Sequence, residues 1–275
     1  MYARATTWWT ILRICVEERL VYRGDFALGT LMRFLPILTQ VFLWTAVYAT
    51  AESGAIQGFT REDVIAYYLM TMIARAFSSM PGLASGIARQ IRDGEIKKFL
   101  LQPIDLLSFL LLARIAHKLV YYAVATAPFA LVFWLCGDFF PAWPSASTVA
   151  AFLASLVMGF TLGFFLEATI GMIGFWLLEV SSLLFVYMLF TFFFSGHMFP
   201  LDFLSAVLPD WMMTLVTYNP VAYFAYFPAA VYLGKIEGDE LVTGLVIEAF
   251  WVVFFIVASR VVMRMGYRRY SGYGG

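Results

Sequence analysis

The chain has 275 residues, 62% hydrophobic and only 13% charged, and its 18 Lys and Arg balance 18 Asp and Glu. A soluble domain carries about a quarter charged residues, so a soluble globular fold is excluded, and zero net charge gives no support to nucleic-acid binding. The two cysteines, Cys15 and Cys136, fall on opposite sides of the membrane in the topology below and read as small apolar residues, not a pair.

Residues 1–25 show no cleavable signal peptide. Arg4, Arg13, Glu17, Glu18, Arg19 and Arg23 break the stretch, and no clean apolar core precedes a small-residue cleavage site. Trp8, Leu12, Cys15 and Val16 recur at helical spacing, with Thr10, Arg13 and Glu17 on another face and Arg13 four residues from Glu17. The pattern predicts an amphipathic helix in the inner interface, Trp8 and Trp9 at headgroup level. The alternative is a helix that packs on the rest of the protein.

A spanning helix needs about 20 mostly apolar residues. Six segments qualify: 26–50, 63–81, 117–137, 148–171, 180–197 and 241–263. Between the second and third spans lies the longest inner loop, 83–116. It opens after the break Pro81-Gly82. Ile87, Arg89, Ile91 and Arg92 then give a short helical pattern ending at Asp93-Gly94, where Gly94 suits a left-handed closing turn. Pro103 makes a second break. Leu106–Ala116 runs as a helix toward the membrane, with Arg114 and Lys118 at the inner boundary, where long stems snorkel.

The outer loops are mostly acidic or uncharged. Glu52, Glu62 and Asp63 flank the first, and Asp138, Pro141 and Pro144 mark the second. The third, 198–240, is too apolar for a free loop, and its four prolines cut any helix into short pieces. Irregular backbone at membrane depth survives only when buried in protein or lining a wet cavity, so short re-entrant helices are expected there. Residues 264–275 form a basic tail. Of all the Lys and Arg, only Arg61 and Lys235 fall in outer loops. By the positive-inside rule both termini are cytoplasmic. The expected fold is an all-α membrane protein, one domain of six transmembrane helices preceded by the interfacial helix.

Catalytic motifs are missing. There is no G-x-x-x-x-G-K-[ST] phosphate loop, and Gly234-Lys235 is a lone dipeptide. His117 and His197 lie at opposite faces, with no Cys or His cluster at metal spacing. No G-x-S-x-G elbow occurs, and Ser195-Gly196-His197 adjacency does not make a triad. The reading is a non-catalytic chain.

Charges inside spans are costly and normally face a partner or a cavity. At about 1.5 Å per residue, Arg33 lies about 10 Å from the inner face, Arg75 about 9 Å and Glu167 about 6 Å. Glu167, or Glu179 just beyond it, is expected to neutralise Arg33 or Arg75; otherwise each arginine snorkels alone. Glu248 stands alone in the outer half of the last span. It faces a substrate path, or its surroundings hold it neutral.

Two stretches carry a family resemblance. The inner loop reads SGIARQIRDGEIKKFLLQPIDLL. The outer stretch has Phe199-Pro200-Leu201, Leu208-Pro209-x-Trp211, Asn219-Pro220, then Pro228 and Gly234. In this order they resemble the type-2 permeases of ATP-binding-cassette (ABC) exporters, in a bacterial branch with about six spans and no fused ATPase. Relatives often carry arginine where this chain has Gln102.

The resemblance implies a dimer of permeases, the partner being the same or a paralogous chain, in a bacterial inner membrane. Cytoplasmic ABC ATPase subunits would hold ATP and Mg, with no cofactor on this chain. The coupling helix would run from Ser85 through Ile87 to Asp93. Arg89, Arg92 and Asp93 would meet the ATPase, Gly94 would close the helix, and Glu95, Lys97 and Lys98 would form the rim. A charged helix between two breaks is suited to transmitting a push; the bland alternative is an anchor on anionic headgroups. The resemblance also implies a path between the second and fifth spans. The stripe Leu183, Leu184, Phe185, Phe190, Phe192, Phe193 and Phe194 is helix packing, or else the lining for a lipid-like cargo. Pro200, Pro209, Trp211, Asn219, Pro220 and Pro228 would build the outer gate. Two other classes stay open: a secondary transporter coupled through Arg33, Arg75, Glu167 and Glu248, and a membrane scaffold or enzyme without transport.

Overall fold

The computed structural model describes residues 2–21, 23–49, 54–101, 104–140, 143–177 and 179–270, and the side chains at 2–5, 19, 21, 23–31 and 33–35 fall outside that description. Glu52, Gln102, Pro103, Pro141 and the Arg33 side chain therefore lie outside the described residues.

The elements follow in order: α1 (Tyr2–Val21), α2 (Arg23–Ala49), the hairpin β1 (Ala55–Ile56) and β2 (Phe59–Thr60), then α3 (Arg61–Ser78), α4 (Leu83–Arg92), α5 (Lys97–Leu101) and α6 (Leu106–Leu135). After these come α7 (Ala146–Met172), α8 (Ser181–Phe194), α9 (Asp210–Thr217), α10 (Tyr226–Tyr232) and α11 (Gly238–Arg269). Short 3-10 turns cover Ile173–Phe175, Leu201–Ala206 and Pro220–Phe224.

Each predicted span coincides with a helix, but the helices differ in their fitness to cross a bilayer. Leu106–Leu135, Ala146–Phe175 and Gly238–Arg269 are each long and apolar enough. α3 carries Arg61, Glu62, Asp63 and Arg75. α8 has 14 residues, about 21 Å of helix against a core about 30 Å thick. The helix expected over 106–116 and the span expected from 117 form one continuous helix. α6 starts at Leu106 because Asp105 caps it, accepting from the Ser108 amide at 2.8 Å, and no helix end intervenes before Leu135.

The chain divides into two compact units. One holds Met1–Val41 and Lys97–Asp138. In it α1 lies along α6, Cys15 is buried, and Arg13 Nε meets Glu17 at 2.8 Å. Trp8, Leu12, Cys15 and Val16 form the less exposed face of α1, and Thr10, Arg13 and Glu17 are exposed. Apolar residues also occur outside that face: Trp9, Ile14 and Leu20 are exposed on a helix held by α6. Lys118, expected to snorkel, is buried.

The other unit, Phe42–Ile96 with Phe139–Gly275, is built around α7, which touches α3, α4, α10 and α11. Small residues explain how one helix takes so many neighbours. Ser155, Gly159, Gly163 and Gly171 recur at four- and eight-residue intervals and so share a face. A Cβ on Gly159 would stand 3.2 Å from the Tyr223 carbonyl oxygen, one on Gly163 would overlap the Ser78 carbonyl, and one on Gly171 would lie 2.9 Å from Ala84 Cα. Further on, Gly174 receives Ala88, whose Cα would be 3.1 Å from such a Cβ. Lipid tails give no hydrophobic drive between helices, so close backbone contact of this kind replaces it. On α11, Gly244 and Gly266 accept the rings of Phe227 and Phe175.

Candidate functional site

α4 begins at Gly82, in the left-handed region at φ 72°, directly after Pro81, and it closes at Gly94 with φ 77°. Between them the helix is cleanly two-sided. Leu83, Ala84, Ile87, Ala88 and Ile91 are buried, while Ser85, Arg89, Arg92 and Asp93 are exposed. Ala84 and Ala88 seat on Gly171 and Gly174, and Ile87 sits against Gly171. Ile87 therefore anchors the helix from its inner face, opposite the exposed charges. Glu95 is exposed just past the turn. Lys97 and Lys98 open α5, where Lys98 Nζ stands 5.4 Å from the centre of the Phe99 ring.

Arg92 ties α4 to the start of α8. Its Nε is 3.2 Å from Asp93 Oδ1 and its Nη1 is 3.7 Å from Glu179 Oε2. Glu179 lies in the exposed turn before α8, because that helix starts only at Ser181. Its Oε1 accepts from the Ser181 amide at 2.9 Å and from the Ser181 hydroxyl. Those Ser181 hydrogen bonds, with the Arg92 charge behind them, hold the Glu179 carboxyl below its ordinary range. Arg75 is exposed on α3, and its charge reaches His197. Glu167 is half-buried on α7, within electrostatic reach of Tyr187.

The expected outer gate is a chain of short helices pressed against α3. Asn219 organises its centre: Oδ1 accepts from the amides of Val221 at 2.8 Å and Ala222 at 3.2 Å, while Nδ2 donates to the Val216 carbonyl. With Pro220 this starts the turn Pro220–Phe224, and Val221–Val231 is buried throughout, Pro228 included. Ser78 Oγ donates to the Phe224 carbonyl at 2.9 Å, and Tyr67 donates to the Gly196 carbonyl. At the other end of α3, Lys235 Nζ donates to Asp63 Oδ2 at 2.8 Å and to the Gly58 carbonyl at 3.0 Å, over the Phe59 ring. The segment thus runs alongside α3 for most of its length. Pro200 is buried, starting the turn Leu201–Ala206, where Asp202 Oδ1 accepts from the Tyr226 hydroxyl at 3.0 Å. Pro209 and Trp211 face outward, Trp211 with 65% of its surface exposed. α8 has no buried residue, and its phenylalanine stripe is open.

The profile of the ABC-2 family transporter proteins matches residues 34–274. The chain belongs to that family. It is a multi-pass membrane permease of an ABC transporter, and membership implies partnership with an ATP-binding subunit. No curated protein matches the permease.

Two features of the permease escaped the sequence reading. The small-residue face of α7 carries a visible signal, Gly159-x-x-x-Gly163, but the backbones it receives come from distant segments. The Lys235–Asp63 clamp joins residues 172 positions apart and has no local signature.

Proposed function

We propose that the permease is the membrane subunit of an exporter, with six spans and both termini in the cytoplasm of a bacterial cell, driven by separate ABC ATPase subunits. It pairs with a second permease, identical or paralogous. In this reading α4 is the coupling helix. The observation that carries the reading is the two-sidedness of α4: its charges point outward while its apolar face seats directly on Gly171 of α7 and Gly174 of the turn that follows. A push on Arg89, Arg92 and Asp93 is then delivered to α7, whose small-residue face also holds the Pro220–Phe224 turn at Gly159. Interiors this closely packed transmit displacement instead of absorbing it.

Co-purification tests the partnership: an ABC ATPase should remain bound through detergent extraction. The variant Arg89→Ala/Arg92→Ala should keep basal ATP hydrolysis and lose about tenfold of the permease-dependent stimulation, a coupling loss of about 1.4 kcal/mol. Unchanged stimulation would remove α4 from the coupling role. Transport driven by an ion gradient with no ATPase present would instead establish a secondary transporter.

A further inference from the structure

Glu248 lies about 15 Å along α11 from Gly238, at 1.5 Å per residue. The residue is 0% exposed, and neither carboxyl oxygen has a hydrogen-bond partner among the described residues. Two other elements converge with it on one point of α7. Its Oε1 would be 3.8 Å from a Cβ on Gly159, the Tyr223 carbonyl oxygen 3.2 Å and Ser78 Cβ 3.9 Å. The Ser155 hydroxyl, also buried and unpaired, stands one helical turn away beside the carboxyl without completing a hydrogen bond. From the Pro220–Phe224 turn the titratable group within electrostatic reach is the Tyr223 phenol, itself near Tyr218. No Lys, Arg or His meets the carboxyl among the described residues.

An isolated carboxylate in such surroundings costs many kcal/mol, and an intramembrane carboxyl is normally matched by a partner or a cavity. Among the described residues Glu248 is fully buried and meets no hydrogen-bond partner, which favours the reading that its surroundings hold it neutral. We propose that Glu248 is a hydrogen-ion site: the carboxylate takes up one proton, becomes the uncharged acid, and in that form closes the Pro220–Phe224 turn onto α7 and α11. The bond formed is O–H. The new hydroxyl has the Ser155 oxygen beside it as acceptor, and the second carboxyl oxygen stays available to the Ser155 hydroxyl. Withdrawal of the turn from Gly159 would wet the carboxyl and release the proton to water. Only that last step rests on the outer segment being a gate; the proton's residence does not, and it is measurable with no ATPase present.

The test uses the full-length protein in lipid nanodiscs. The infrared difference spectrum between wild type and Glu248→Gln should show the carbonyl stretch of a protonated carboxylic acid, shifted in D2O. Gln reproduces the shape and neutrality of the acid, so Glu248→Gln should unfold within about 2 °C of wild type. Glu248→Lys, with the opposite charge buried at the same point, should fail to accumulate. Loss of ionised-carboxylate bands in place of the acid band would overturn the proposal. So would a Glu248→Gln protein that does not fold, or a wild-type unfolding temperature that falls when sodium chloride is replaced by choline chloride, which would indicate a metal cation at the carboxylate.

Discussion

Gly86 and Gly171 show how much a single hydrogen in place of a methyl can decide. A Cβ on Gly86, in the middle of α4, would have nothing within 4 Å, whereas one on Gly171 would meet the Ala84 carbonyl oxygen at 2.6 Å. Gly86 keeps only the entropic cost of glycine in a helix. Gly86→Ala should therefore stabilise the protein by about 0.5–1 kcal/mol. Gly171→Ala must push α4 off α7 and should cost about 1–3 kcal/mol. Thermal unfolding of the two purified variants reads the difference directly. Equal effects would mean that α4 is not seated on the glycine face. The same contrast explains why α4 needs glycine on its neighbours: Ala84 and Ala88 bring the α4 backbone itself, not long side chains, against Gly171 of α7 and Gly174 of the turn that follows it.

Among elements, the α10 end of the outer segment is fastened to the start of α3 by one lysine. Asp63 and Thr60 form a capping box, the Thr60 side chain accepting from the Asp63 amide and Asp63 accepting from the Thr60 amide at 3.1 Å. Lys235 then uses the same Asp63 oxygen, with 28% of the lysine side chain and 15% of the aspartate side chain exposed. Lys235→Met should cost about 1 kcal/mol, the usual range for a half-screened charged hydrogen bond. The deficit should shrink as salt is raised, since the wild-type pair is screened while the variant has nothing to screen. A salt-independent deficit would assign the loss to packing on Phe59. Helices such as α4 were legible because Pro81-Gly82 and Gly94 punctuate them and burial repeats every three to four residues. The start of α6 at Leu106 was legible after the break at Pro103, whereas the burial of Lys118, placed at the inner boundary with Arg114, was not, because it depends on what packs around the helix. What α7 receives was not legible: Ser78, Ala84 and Tyr223 are brought to one helix face only by the fold. Glu248 shows both sides of this. Its oddity was plain in the sequence, but its complete burial depends on the Pro220–Phe224 turn arriving at Gly159.

For the whole molecule, orientation decides whether any of this can operate. Within the unit built on α7, Lys235 marks the Asp63 end of α3, and α4 follows the opposite end, beyond Ser78. The 18 residues of α3 separate these ends by about 27 Å. Ser85 and Glu237, both exposed, therefore belong to opposite sides of a bilayer if α3 crosses it. In a background with Cys15 and Cys136 replaced by alanine, Ser85→Cys should react with a membrane-impermeant maleimide only in inside-out vesicles, and Glu237→Cys only in intact cells. The positive-inside rule sets which is which, because Arg89, Arg92, Lys97 and Lys98 cluster near Ser85 in the chain. Labelling of both positions from one side would mean that α3 does not span, despite its burial from Val64 to Met70. Labelling in the reverse sense would leave α3 spanning but put the charged face of α4 outside the cell, where no ATP-driven partner could press on it. The geometry of α4 on α7 would then remain a structural fact with no mechanical use, and coupling through this helix would have to be abandoned.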